Sequence, residues 1–192
     1  MMHMASIAGI SGGPLVWGAV LLFVILSAVV FHGPSRQAAR RLIAFQGWGP
    51  SMQIRPLSSD YAVSPQIDPA DLPAIRAAGY ALVIDNRPDG EIPERLRTAE
   101  MAAAAAAAGI GFVANPISPG MFTDEVIEAQ RAAQAQAGGP VLAYCASGNR
   151  SSCVWALMNA GDRPLEELVG VPAQYGYNLN ALVPMIMARA GG

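Results

Sequence analysis

Four short apolar runs, DYAVSP at 60–65, YALVID at 80–85, IGFVANP at 110–116 and PVLAYC at 140–145, are each separated from the next by a stretch with helical character. Strands connected in this way imply a parallel sheet with right-handed crossovers and helices on both faces. The helical stretches carry their own boundary signals. Asp68 precedes Pro69, Asp71 follows three residues later, and Gly79 marks the stop, the pattern of a capped and terminated helix. The stretch ERLRTAEMAAAAAAAG (94–109) holds seven consecutive alanines ahead of Gly109, which favours helix by propensity. Thr123 opens a third helix through about Gln136, with Asp124 and Glu125 at its positive end. Residues 151–190 read as mostly helical. In such sheets ligands bind beyond the carboxyl ends of the strands. Asp85, Asn115 and Cys145 stand at three of those ends.

Composition removes several functions. The chain carries 12 basic and 14 acidic side chains, a net charge of −2, without the basic surplus of a nucleic-acid binder. The only two cysteines, Cys145 and Cys153, make no disulfide framework. His3 and His32 are the only histidines, and both precede the first apolar run of the sheet. A Cys-His dyad, a His-based zinc site and a Ser-His-Asp triad are therefore unavailable to the folded domain. Neither a metal nor a cofactor is called for.

Residues 15–31, LVWGAVLLFVILSAVVF, hold no charge. With their flanks (13–33) they approach the roughly 20 residues that span a bilayer as a helix. Arg36, Arg40 and Arg41 follow, and no Lys or Arg precedes, which places the C-terminal side in the cytoplasm. The expected organisation is a tail (1–12), a single membrane-spanning helix (13–33), a linker (34–55) and a catalytic domain (56–192). A start at Met52 would instead give a soluble cytoplasmic domain.

The chemistry gathers in CASGNRSS, residues 145–152. A short loop running from a strand end into a helix turns successive backbone N–H groups toward one point, and the helix adds the positive end of its dipole. With the helix opening near Ser151, the loop residues Ala146, Ser147, Gly148, Asn149 and Ser151 form an anion cradle. Gly148 permits the tight turn, and Arg150 offers a planar fork to an oxyanion. The same field favours thiolate over thiol, so Cys145 becomes a nucleophile aimed at an anionic substrate. Asp85 and Arg87, on the neighbouring loop, complete the rim. Cys153 falls within the following helix, where core packing suits it.

The motifs YAVSPQI, VIDNRPDGE, NPISPG and PVLAYCASGNRSS…WAL occur in that order. They resemble the β-lactamase-hydrolase-like, protein-phosphatase-like bacterial domains, often labelled sulfur transferases. The resemblance covers residues 52 to about 182 and implies the fold of tyrosine and dual-specificity phosphatases, with the cysteine loop after the last strand. Two departures stand out. Phosphatases of that type carry five residues between Cys and Arg and usually a His before the Cys. Here four intervene and Tyr144 precedes, which is similar to the shorter loop of rhodaneses. The stretch expected to supply an acidic proton donor reads NPISPGMFTD, with Ser118 and Pro119 in the expected region and Asp124 late. Asp85 and Asp89 are substitutes for that acid.

Both departures favour sulfur. The leading expectation is a sulfurtransferase that carries sulfane sulfur as a Cys145 persulfide, its partner a small anionic or persulfide substrate. The alternative is a phosphatase that forms a Cys145 phosphocysteine from a phosphoester. A non-catalytic module sensing an anion or redox state is the third reading.

Overall fold

The computed structural model describes residues 52–191. The segment expected to span a membrane lies outside them. Among the described residues no helix is long and apolar enough to cross a membrane.

Among the described residues five strands form one sheet in the order β1-β2-β5-β3-β4: β1 (Arg55–Pro56), β2 (Tyr61–Ser64), β3 (Leu82–Asp85), β4 (Gly111–Ala114) and β5 (Val141–Tyr144). The four strands expected from the sequence run parallel, with β5 between β2 and β3. The sheet is not purely parallel, however. Arg55 pairs with Val63 in antiparallel register, so an edge strand begins at the last residue of the stretch expected to be linker. Two residues carry no alternation of apolar and polar side chains, and such a strand leaves no signal in the sequence.

Among the described residues the α-helices are α1 (Leu72–Ala77), α2 (Thr98–Ala108), α3 (Asp124–Gln136), α4 (Asn149–Met158), α5 (Leu165–Ala173) and α6 (Val183–Ala190). Asp68 N–H donates to the Asp71 carboxylate at 2.8 Å at the head of α1. The alanine-rich helix starts later than expected, at Thr98, because residues 94–96 form a separate 3-10 turn. The Asp89 carboxylate accepts from Thr98 N–H at 2.8 Å and from its hydroxyl at 3.0 Å, anchoring that start.

Each face of the sheet has its own core. On one face, Val83, Leu142 and Tyr144 pack with Leu72 and Ile75 of α1 and Met101 and Ala105 of α2. On the other, Val63, Ile84 and Ala143 pack with Ile127 of α3, Leu168 of α5 and Ile186 of α6. Every residue of α4 from Ser151 to Met158 is buried. That helix, which leaves directly from the cysteine loop, is the central helix of its face.

Candidate active site

Cys145 follows the last residue of β5 and is 1% exposed. Its N–H reaches Ser64 O at 3.4 Å, and Gln66 N–H reaches Ala146 O at 3.3 Å. These bonds tie the loop to the end of β2. The turn then closes on the sulfur: Gly148 N–H lies 3.2 Å from Cys145 Sγ. Gly148 adopts φ +90°, and α4 begins at Asn149, one turn position after it. The helix therefore opens two residues earlier than the sequence suggests, directly after the Gly148 amide that meets the sulfur.

The predicted cradle residues separate into distinct roles. Ala146, Ser147 and Asn149 are exposed. Ser151 is fully buried, and its hydroxyl donates to Asn86 Oδ1 at 2.8 Å. It therefore fixes the first turn of α4 from below. Cys153 is buried in the same helix, and burial, with the charge of Cys145 adding to it, pushes its thiol up to about 11. It is held as a neutral thiol.

Arg150 sits at the rim with its side chain 11% exposed. Its fork is already engaged: Nη1 donates to Glu91 Oε1 at 2.9 Å and Nη2 to Glu91 Oε2 at 2.6 Å, while Nη1 also reaches Ile117 O at 2.6 Å. Burial works against the Arg150 charge, but Glu91 and the Cys145 sulfur raise its pKa above the ordinary value. The Arg150 hydrogen bond holds Glu91 below the usual carboxylate range, with Arg87 adding a smaller pull. Arg87 donates from Nη1 to Gln66 Oε1 at 2.9 Å and from Nη2 to Glu91 O at 3.1 Å. Thus Arg87 and Arg150 flank one glutamate, and Glu91 is a site residue that the sequence reading missed. Its contact with Arg150 spans 59 positions and left no local signal.

Asp85 does not face the cysteine. It shares a register row with Tyr144 and Ser64, and paired residues of a parallel sheet point to the same face. That is the face of α1 and α2, whereas the charge of Cys145 acts on Tyr61, Cys153 and Tyr177 of the other face's core. Asp85 Oδ1 accepts from Arg87 N–H at 2.8 Å. Burial raises its pKa, partly offset by that bond and by Tyr144. Asp124, the late acid of the NPISPGMFTD stretch, pairs with Arg189.

Beneath the loop lies a polar network of which only Asn115 and Ser151 stand out in the sequence. Asn86 Nδ2 donates to Asn115 O at 3.0 Å and to Gln130 Oε1 at 2.7 Å. Asn115 Nδ2 reaches the same Gln130 oxygen at 2.7 Å, and Gln130 Nε2 donates to the Tyr61 hydroxyl at 2.6 Å. Among the described residues no three His, Cys, Asp or Glu side chains are grouped to hold a metal ion.

The family model of the beta-lactamase hydrolase-like protein, phosphatase-like domain, matches residues 53–162. The chain belongs to this family. A beta-lactamase hydrolase-like protein of Agrobacterium fabrum is 37% identical over 93 residues, covering 48% of this chain and 22% of that one. One from Xylella fastidiosa is 28% identical over 141 residues, covering 72% and 33%. The matches thus span about a fifth to a third of those relatives' length. A candidate phosphatase of Neisseria meningitidis shares the architecture at a TM-score of 0.63 and 30% identity, covering 71% of this chain and 97% of that one. The active form of Tk-PTP superposes at a TM-score of 0.55 and 21% identity, covering 74% and 97%, which bears on the fold alone. The expected phosphatase-like fold is therefore established. Sulfur transfer, the leading sequence expectation, finds no specific support among these relatives, and the phosphatase alternative is the better supported of the two.

Proposed function

We propose that the family domain acts as a cysteine-dependent phosphatase whose nucleophile is Cys145. The observation that carries this reading is the Gly148 N–H at 3.2 Å from Cys145 Sγ, at the head of α4. An amide and a helix N-terminus directed at one sulfur favour its thiolate and an incoming oxyanion together. The likeness to the Neisseria protein, described as a candidate phosphatase, adds the phosphoester.

In the reaction, Cys145 Sγ attacks phosphorus while the bond to the leaving oxygen breaks. The phosphocysteine then loses its P–S bond to water, releasing phosphate and restoring the thiolate. Arg150, positioned by Glu91, supplies charge beside the transferring group. The described rim carboxylates are otherwise occupied: Glu91 is held ionised by Arg150, Asp89 binds Thr98, Asp124 binds Arg189, and Asp85 belongs to the opposite face. None is placed to protonate a leaving oxygen. The substrates that suit the site are therefore those whose leaving oxygen departs without an acid, such as aryl phosphates. Hydrolysis of an aryl phosphate that is lost in Cys145→Ser, with an alkyl phosphate turned over at least about a hundredfold more slowly, is the expected result. Equal rates on the two substrates, or hydrolysis that survives Cys145→Ser, would overturn it.

The four-residue spacing and the lack of an available acid favour a second reading, sulfur transfer. There Cys145 attacks the outer sulfur of a sulfane donor such as thiosulfate, the S–S bond breaks and sulfite leaves. A thiol acceptor then takes the terminal sulfur from the persulfide. A thiolate departs without protonation, so this path needs no acid. Added sulfur on Cys145 after thiosulfate treatment, without aryl phosphate hydrolysis, would favour it.

A further inference from the structure

The Ser147–Gly148 peptide is held at both ends. Its N–H, on Gly148, lies 3.2 Å from Cys145 Sγ. Its carbonyl, on Ser147, accepts from the Tyr177 hydroxyl at 2.7 Å and from Arg55 Nη1 at 3.4 Å. Arg55 also donates to the Tyr177 hydroxyl, and its guanidinium carbon lies 5.0 Å from the centroid of the tyrosine ring.

The two ends are coupled. In a trans peptide the C=O and N–H point in opposite directions, so holding the carbonyl toward Tyr177 aims the N–H at the sulfur. Hydrogen bonds in series also polarise one another. A carbonyl loaded by a phenol and a guanidinium makes its own peptide N–H a stronger donor. The fit leaves no slack: a Cβ at position 148 would lie 2.0 Å from the Tyr177 oxygen. Tyr177 keeps the proton it donates, because burial raises its pKa; Arg55 opposes that rise and the charge of Cys145 adds to it.

We propose that Arg55 and Tyr177 are positioning residues for the nucleophile, aiming and polarising through the Ser147–Gly148 peptide the amide that stabilises the Cys145 thiolate. The chain runs from the Arg55 guanidinium through the Tyr177 hydroxyl and the Ser147 carbonyl to Gly148 N–H and the Cys145 sulfur. It rests on Cys145 being the nucleophile and is indifferent to whether phosphorus or sulfur is attacked. Tyr177 falls beyond residue 162, where the family match ends, so the brace draws on the chain outside the matched segment.

The test is the pH profile of Cys145 alkylation by iodoacetamide in the full-length chain, read peptide by peptide so that Cys153 is counted separately. Tyr177→Phe removes only the hydroxyl. It should slow alkylation near pH 7 by about fivefold and move the midpoint of the profile to higher pH. Arg55→Met should do the same, and Arg55→Lys, which keeps the cation, should fall between it and the wild type. Thermal melting establishes that each variant is folded, and the Arg55 pair carries the test if Tyr177→Phe is not. A folded Tyr177→Phe or Arg55→Met whose rate stays within about twofold of wild type, with an unmoved midpoint, overturns the proposal and leaves the nucleophile reading standing. A wild-type Cys145 that alkylates no faster than an unstructured cysteine peptide overturns both.

Discussion

Asp85 and Asn86 are consecutive residues at the end of β3, and the sheet gives them opposite surroundings. Asn86 enters the α3/α4 side, where it donates to Asn115 O and Gln130 and accepts from Ser151. Asp85 enters the α1/α2 side in a row with Tyr144 and Ser64. There, among the described residues, Asp85 Oδ2 and Tyr144 Oη lie buried with no partner beyond each other, and Ser64 Oγ is buried with none. A satisfied buried network is rigid, whereas groups left unpaired in a low dielectric lower stability. The satisfied network is the one beneath the cysteine loop, since Ser151 belongs to the first turn of α4 and Gly148 to its cap. Rigidity is thus concentrated where the Gly148 amide must hold its aim at Cys145.

The largest test of that contrast removes the hub of the satisfied side. Gln130→Leu strands Tyr61, Asn86 and Asn115 together and should lower unfolding free energy by about 3 kcal/mol, measured by urea denaturation. It should also slow Cys145 chemistry, because Asn86 no longer fixes Ser151. On the other face the effect changes sign. An acid whose folded pKa is raised above its ordinary 3.8 binds its proton more tightly in the fold than in the unfolded chain. Its stabilising contribution is complete below that value and fades as pH rises through the folded pKa. Asp85→Asn should therefore flatten the decline of stability with rising pH and raise stability at neutral pH by on the order of 1 kcal/mol, read from denaturation at stepped pH. Ser64→Ala marks the small end: losing a buried hydroxyl that bonds nothing should change stability by less than about 0.5 kcal/mol. A loss as large as that of Gln130→Leu would erase the distinction between the faces.

Much of this architecture was legible in the sequence because its signals are local. Each of the four parallel strands is an apolar run bounded by turn residues, and Cys145, Gly148 and Arg150 lie within six positions of one another. The parts that were not legible depend on distant partners or on burial that contradicts composition. Gln130 sits in the polar stretch EAQRAAQAQ, which reads as a solvated helix face, yet it is fully buried. Arg55 falls in the expected linker because its strand is two residues long. Tyr177 meets Ser147 across 30 positions, and Glu91 meets Arg150 across 59. Asp85 departs from the expected cysteine rim for a different reason. Position at a strand end fixes the edge of the sheet, while parity along the strand decides the face.

The central claim is that Cys145 becomes covalently bonded to the group it transfers. Its most direct measurement is mass analysis of the Cys145 peptide after acid quench of the full-length chain mixed with an aryl phosphate and, in parallel, with thiosulfate. A phosphoryl group on Cys145 is expected from the first donor, absent in Cys145→Ser; sulfur from the second donor alone would mark Cys145 as a sulfur carrier instead. An unmodified Cys145 with both donors, alongside measurable turnover of either, would contradict it.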